Sequence, residues 1–137
     1  MKLVAEDLME SDVITVQKDL TIEQVNQIFS AEKISGLPVL DGNSLVGIIS
    51  KTDINHALST QSMTKHSLIS EIMITDIISV TPNTDISEVA VIMTSKNIHR
   101  VLVCQQQKLI GIISAMDFVK ILQLTKMTQT KPVAIPA

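Results

Sequence analysis

The chain has 137 residues, a net charge of −3 and 45% apolar residues, yet it holds no Trp, no Tyr and only two Phe. That length supports one core, built here from Ile, Val, Leu and Met, and is short for two ordinary domains. Scattered lysines on a slightly acidic chain exclude the clustered basic face of a nucleic-acid binder. No run approaches the ~20 apolar residues of a membrane span. The opening MKLVAEDLMES is too interrupted by acids for a signal peptide. A single cysteine, Cys104, excludes an intrachain disulfide and suits a reducing compartment. The expectation is a cytoplasmic protein with neither a membrane nor a nucleic-acid partner.

In chain order, DVITV (12–16) is a β-branched run and predicts a first strand. A helix is predicted over about 21–33, with Ile22, Val25 and Ile28 at helical spacing and Thr21 with Gln24 as a capping box. LPVL (37–40) predicts a second strand, DGN (41–43) a tight turn and SLVGIIS (44–50) a third strand. A helix over about 52–59 closes this unit, and the polar TQSMTKHS (60–67) follows as a linker. The order then recurs. DIISV (76–80) predicts a strand, and 85–97 a helix opened by Asp85 and Glu88. VLVC (101–104), the QQQ turn (105–107) and KLIGIIS (108–114) predict a hairpin, and 115–124 a last helix. Residues 125–137 read as a loose tail.

Shifted by 64 positions, residues 5–54 align with 69–118 without a gap. Met9 falls on Met73, Ile34 on Ile98, Val39 on Val103, GIIS on GIIS and Asp53 on Asp117. Most matches are apolar, as two copies of one packing unit require. The predicted fold class is therefore mixed α/β (α+β): two tandem β-α-β-β-α repeats, 1–59 and 68–124, closed on each other about a pseudo-two-fold. One repeat alone would bury too little apolar surface, so the pair forms one module.

No phosphate-binding glycine loop, dinucleotide fingerprint or nucleophile elbow is present. His56, His66 and His99 show no metal-ligand spacing with one another or with Cys104. Nothing argues for a metal site or for catalysis. What remains is the pair Ser50-x-x-Asp53 and Ser114-x-x-Asp117 at the ends of the GIIS strands. One reading is a helix cap, with serine as N-cap and the acid complementing the helix dipole. The other is a ligand site. A helix N-terminus attracts phosphate, Ser50 and Thr52 add hydroxyls, and Asp53 offers two acceptors to the paired hydroxyls of a ribose. The single arginine, Arg100, also has two readings: a strand-edge cation paired with an acid such as Asp53, or a planar fork for phosphate.

The tandem units, each opening on a Met…Asp-Val-Ile-Thr-Val type strand, resemble a pair of cystathionine β-synthase (CBS) domains, the Bateman module. The likeness spans about residues 3–124 and is carried by ISGLPVLDGNSLVGIISKTDI (34–54) and IHRVLVCQQQKLIGIISAMDF (98–118). The second copy departs from the family pattern in having Leu102 for the usual Pro and Gln105–Gln107 for the usual acidic turn. The resemblance implies a small stand-alone, non-enzymatic sensor that binds AMP, ADP or ATP between the repeats and needs no catalytic cofactor. An S-adenosylmethionine or other adenosyl-ligand sensor is the alternative, and a ligand-free dimerisation module a third. Carried over residue by residue, Asp53 and Asp117 would hold ribose, while Ser50, Thr52, Ser114, His99 and Arg100 would hold phosphate. Through their backbone, Thr15, Gly36, Leu37 and Pro38 would frame the base in the Asp53 cleft, and Ser79 and Val101 in the Asp117 cleft. Met116 in place of Thr52 makes the Asp117 cleft the poorer phosphate site. The family also implies a homodimer through helices, for which EDLMES (6–11) and SEIMIT (70–75) offer apolar surface, and an unidentified regulated protein.

Overall fold

The computed structural model describes residues 2–126; the tail predicted from residue 125 lies almost wholly outside them. The elements are helix α1 (Ala5–Leu8), strand β1 (Val16–Gln17), helix α2 (Ile22–Glu32), strands β2 (Gly36–Asp41) and β3 (Ser44–Ser50), and helix α3 (Lys51–Ser59). A 3-10 turn (Ile69–Glu71) opens the second copy, followed by β4 (Ser79–Val80), α4 (Ile86–Lys96), β5 (Arg100–Gln105), β6 (Lys108–Ser114) and α5 (Ala115–Lys126). Two three-stranded sheets result, ordered β1-β2-β3 and β4-β5-β6, with the first pair of each parallel and the second antiparallel.

Local chemistry sets the boundaries. Thr21 caps α2 in a reciprocal box: its hydroxyl accepts from the Gln24 N–H at 3.2 Å, while the Gln24 side chain accepts from the Thr21 N–H at 2.9 Å. Lys33 and Asn97 end α2 and α4 in the left-handed conformation. At Asp85 the expected box with Glu88 is replaced. Ser87, two residues on, donates both its N–H (2.9 Å) and its hydroxyl (2.8 Å) to one Asp85 oxygen, and Lys2 approaches the other at 3.6 Å. The two hairpins turn through Gly42–Asn43 and Gln106–Gln107, with positive φ at Gly42 and at both glutamines.

The predicted first strands 12–16 and 76–80 shrink to two residues each. Only Val16–Gln17 and Ser79–Val80 find ladder partners, Val39–Leu40 and Leu102–Val103. The residues before them leave their own sheet and cross to the other repeat. Ala5 is fully buried in the core of Val80, Val89, Met93, Val101, Val103 and Ile113, and Glu10 exchanges backbone bonds with Ile112 at 2.9 and 3.0 Å. Ile69 does the same for the core of Val16, Ile22, Val25, Phe29, Leu37, Val39, Ile49 and Ile54, with Ile74 bridging Ile48. Each leading segment starts with a turn closed by an acid three residues on: Asp7 accepts from the Val4 N–H and Glu71 from the Leu68 N–H, both at 2.9 Å.

This crossing explains the glycine in GIIS. A Cβ on Gly111 would strike Met9 at Sδ, at Cγ (2.8 Å) and at Cβ (3.0 Å); one on Gly47 would strike Met73 at Sδ (2.7 Å) and Cγ (3.0 Å). The methionines matched by the repeat are thus wedges from the opposite copy. It also corrects the expected dimer surface. In 6–11 and 70–75, Leu8, Met9, Ile72 and Met73 pack on the two cores and only Ile74 stays exposed among their large apolar residues. Exposed apolar side chains gather on α5 instead, at Met116, Val119, Leu122 and Leu124, with Val91 on α4.

Candidate ligand cleft

Strand β3 delivers Ser50 to the start of α3, where its hydroxyl accepts from the Asp53 N–H (3.1 Å) and donates to Asp53 Oδ2 (2.7 Å). The capping reading is therefore realised, and it fixes the carboxylate at the helix N-terminus. In the second copy, Ser114 gives both its N–H (2.8 Å) and its hydroxyl (3.2 Å) to Asp117 Oδ2. Arg100 begins β5 opposite Ser114 and sends its side chain across the pseudo-two-fold, where Nη2 donates to Ser35 Oγ and the chain lies on Gly36. Burial pulls the guanidinium's pKa down, and the Asp53 carboxylate works in the opposite direction. The group keeps its charge, as arginine does throughout proteins.

These side chains meet in one cavity of about 360 Å³, which holds Ser50, Thr52, Asp53, His99 and Arg100 together. That volume lies within the range of small-ligand sites, roughly 300–1,000 Å³. Its walls are Ile48, Ile74, Ile77, Ile78, Ile98 and Leu102, and Asp76 and Asn97 complete the polar lining. The lining thus combines apolar side chains suited to a flat ring with hydroxyls, two carboxylates (Asp53 and Asp76) and one formal cation. A wider depression of about 660 Å³ along α2 runs past Glu23, Asn26, Gln27, Ser30, Ala31 and Lys65. It shares no residue with this cleft and is a shallow groove on a helix face.

A second hollow of about 100 Å³ is lined by Glu10, Asp12, Val13, Ile14, Ile34, Gly36, Pro38 and Ile112. All eight are the 64-residue counterparts of residues in the larger cleft, Gly36 standing for Arg100 and Pro38 for Leu102. The two sites are thus one design at unequal size. Ser114 and Asp117 are not among the residues that line the smaller one.

None of the residues expected to frame a base is among those that line the larger cleft. Gly36 and Pro38 line the smaller hollow, and Thr15 lies in a separate groove of about 550 Å³ between the hairpins, beside Asn43 and Lys108. Leu37 and Val101 turn their side chains into the cores, and Ser79 pairs with Leu102 and serves the Cys104 thiol. The physical reason is the crossing: the leading segment that walls each cleft comes from the other copy. Sequence reasoning missed Ile74, Asp76, Ile77 and Ile78 for that reason. Their signal was the methionine wedge opposite a repeated glycine, which ties residue 73 to the third strand of the first copy. Among the described residues no cluster of His, Cys, Asp and Glu could hold a metal ion, and no helix is long and apolar enough to cross a membrane.

A family model for the CBS domain matches residues 4–60 and again 69–124. The chain belongs to the CBS domain family. Among solved structures it is similar to the CBS domain pair of protein MJ0100, in complex with 5'-methylthioadenosine and S-adenosyl-L-methionine. The two are 26% identical with a TM-score of 0.84, covering 91% of this chain and 99% of that one. A putative acetoin utilization protein (AcuB) from Vibrio cholerae is 29% identical at TM-score 0.82, with coverage of 96% and 100%. Among curated relatives, inosine-5'-monophosphate dehydrogenase of Thermoplasma acidophilum is 31% identical over 115 residues, 83% of this chain. Protein MJ1225 of Methanocaldococcus jannaschii is 29% identical over 117 residues, 85% of this chain. The chain spans only 22% and 41% of those two relatives' lengths. The CBS pair and its two-repeat α/β fold, read from the doubled sequence, are what the structure and these likenesses show.

Proposed function

We propose that this CBS pair is a non-enzymatic regulatory module that binds an adenine nucleotide (AMP, ADP or ATP) in the Asp53 cleft. The observation that carries the reading is that Arg100 and Asp53, which interact electrostatically, line one isoleucine-walled cavity of ligand size. Adenine would lie between Ile74, Ile77 and Ile78 on one side and Ile98 and Leu102 on the other. Asp53 would accept from the ribose hydroxyls, with Thr52, His99 and Arg100 at the phosphate. The MJ0100 pair, with two adenosyl compounds bound, supports the ligand class. The smaller hollow, about a third the size and with glycine for arginine, would be the weaker site. Regulation follows if the ligand binds one arrangement of the repeats better than another.

Calorimetric titration with AMP, ADP, ATP and S-adenosylmethionine tests this. Asp53→Ala should abolish nucleotide binding while Asp117→Ala leaves it nearly unchanged. Arg100→Ala should weaken AMP by about 10–150-fold, the worth of a hydrogen bond to a charged group at ~1.5–3 kcal/mol. Unchanged AMP affinity in Arg100→Ala rules out the phosphate role. The second reading, an S-adenosylmethionine sensor, draws on the two carboxylates Asp53 and Asp76 in the cleft, which suit a sulfonium cation. It wins if that ligand binds more tightly than AMP. Binding of none of the four would favour a ligand-free interaction module. The exposed apolar residues of α5 would form the surface for a homodimer. A hexameric CBS-CP12 protein of cyanobacteria, 26% identical, shows a relative that assembles. Sedimentation of Leu122→Glu against the parent chain tests that interface.

A further inference from the structure

We propose that Ser35 and Gly36 are positioning residues: together they form a seat that aims Arg100 at the Asp53 cleft and give that cleft its preference for anionic over neutral adenosyl ligands. The inference rests on the adenosyl-binding reading above and adds residues that do not line that cleft. Position 36 is the 64-residue counterpart of position 100, so side chains at the two positions compete for the same space at the pseudo-two-fold. Arg100 has taken that space. A Cβ on Gly36 would strike Nε and would stand 2.7 Å from both Cδ and Cζ, the root of the guanidinium. Backbone conformation does not call for glycine there, since the glycine with positive φ is Gly42. Gly36 is required for room.

Ser35 supplies direction. Its hydroxyl accepts from Arg100 Nη2, and its carbonyl accepts from the Lys51 N–H at 2.9 Å, which ties the seat to the first residue of α3. Gly36 in turn pairs with Ser50 across the β2–β3 ladder, so the seat and the Asp53 cap are built on one hairpin. A free arginine side chain carries substantial rotamer entropy. Seating it before a ligand arrives removes part of that cost from binding, which is preorganisation. The same arrangement leaves the smaller hollow with glycine where its counterpart has a cation.

The test is titration of the full chain and of Ser35→Ala and Gly36→Ala with AMP and with adenosine, reading the ratio of the two affinities. The parent chain should prefer AMP by about tenfold or more, as one charge-assisted contact implies. Gly36→Ala should erase most of that preference, and Ser35→Ala, which adds no atom, should reduce it about three- to fivefold, with adenosine affinity in both within about twofold of the parent. Thermal unfolding of each variant verifies the fold. An unchanged ratio, or equal loss of AMP and adenosine, overturns the seat. A parent chain that binds both ligands equally overturns it while leaving the adenosyl-binding reading intact. A parent chain that binds neither overturns that reading, and the seat with it.

Discussion

Gly111→Ala tests whether the repeats are joined by crossed leading segments. The added methyl would stand 2.8 Å from Met9 Cγ and 3.0 Å from Met9 Cβ, besides striking Sδ. Rotating the methionine relieves the sulfur and Cγ, but Cβ is fixed to the backbone. That backbone is held by the two Glu10–Ile112 bonds of 2.9 and 3.0 Å, so the segment has to shift as a piece. Overpacking a core costs about 1–3 kcal/mol, and the fixed backbone places this case in the upper half, ~2–3 kcal/mol. Met9→Ala removes a half-buried side chain and should cost ~2 kcal/mol. Together the two changes relieve each other in part: alanine at 111 fills space left by Met9 Sδ and Cγ, while the contact with Cβ persists because alanine at position 9 keeps that atom. The double variant should lose ~3 kcal/mol, short of the sum of ~4–5 kcal/mol, giving a coupling of about 1–2 kcal/mol. Urea unfolding followed by circular dichroism measures all four species, provided the slope with denaturant stays constant. Additivity within about 0.5 kcal/mol would refute the wedge, because uncoupled sites behave that way.

Three further outcomes are expected. Gln106→Asn with Gln107→Gly should stabilise the protein by about 1 kcal/mol in the same assay, because both glutamines hold positive φ in a two-residue hairpin turn where Asn-Gly is preferred. Asp85 is held below its usual carboxylate pKa first by the Ser87 N–H, then by the Ser87 hydroxyl and by Lys2. Its share of stability is complete above pH ~4 and is lost as the pH falls through the lowered value; Asp85→Asn should remove that part of the acid dependence, measured by thermal unfolding between pH 2 and 6. Burial pushes the Cys104 thiol up, against a smaller opposing effect of Ser79. Its thiolate fraction at pH 8 is therefore low, and alkylation by iodoacetamide should be several-fold slower in the folded chain than in urea.

Much of this was legible in the sequence because packing writes itself into periodicity. Ile22, Val25 and Phe29 follow the helical repeat and are buried as a stripe. The alternation of SLVGIIS and its partner strand specifies the hairpin register, and the Thr21 box fixes where α2 begins. The Ser50–Asp53 and Arg100 pairing in one cleft was likewise legible, from the symmetry break between Gly36 and Arg100. What periodicity does not carry is which copy an apolar segment packs against. Val13–Val16 has the composition of a strand whether or not a neighbouring strand is free to pair with it. Two identical faces were available to residues 4–10 and 68–74, and only three-dimensional closure decides that each takes the other's. That single ambiguity hid Ile74, Asp76, Ile77 and Ile78, the leading-segment residues that line the larger cleft.

The exchange also has a temporal side. As the chain leaves the ribosome, the sheet of the first copy is complete at Ser50, yet Ile69 and Met73, which cover it, are still some twenty residues from synthesis. Ala5 waits longer: its neighbours Val101 and Ile113 are made about a hundred residues after it. The first half is covered once Met73 is made, whereas the second closes only when Ile113 is out, and that closure joins residues far apart in sequence, which slows folding. Nascent copies on neighbouring ribosomes would present the same uncovered faces to each other, and a leading segment that fits its own second half fits a stranger's equally well.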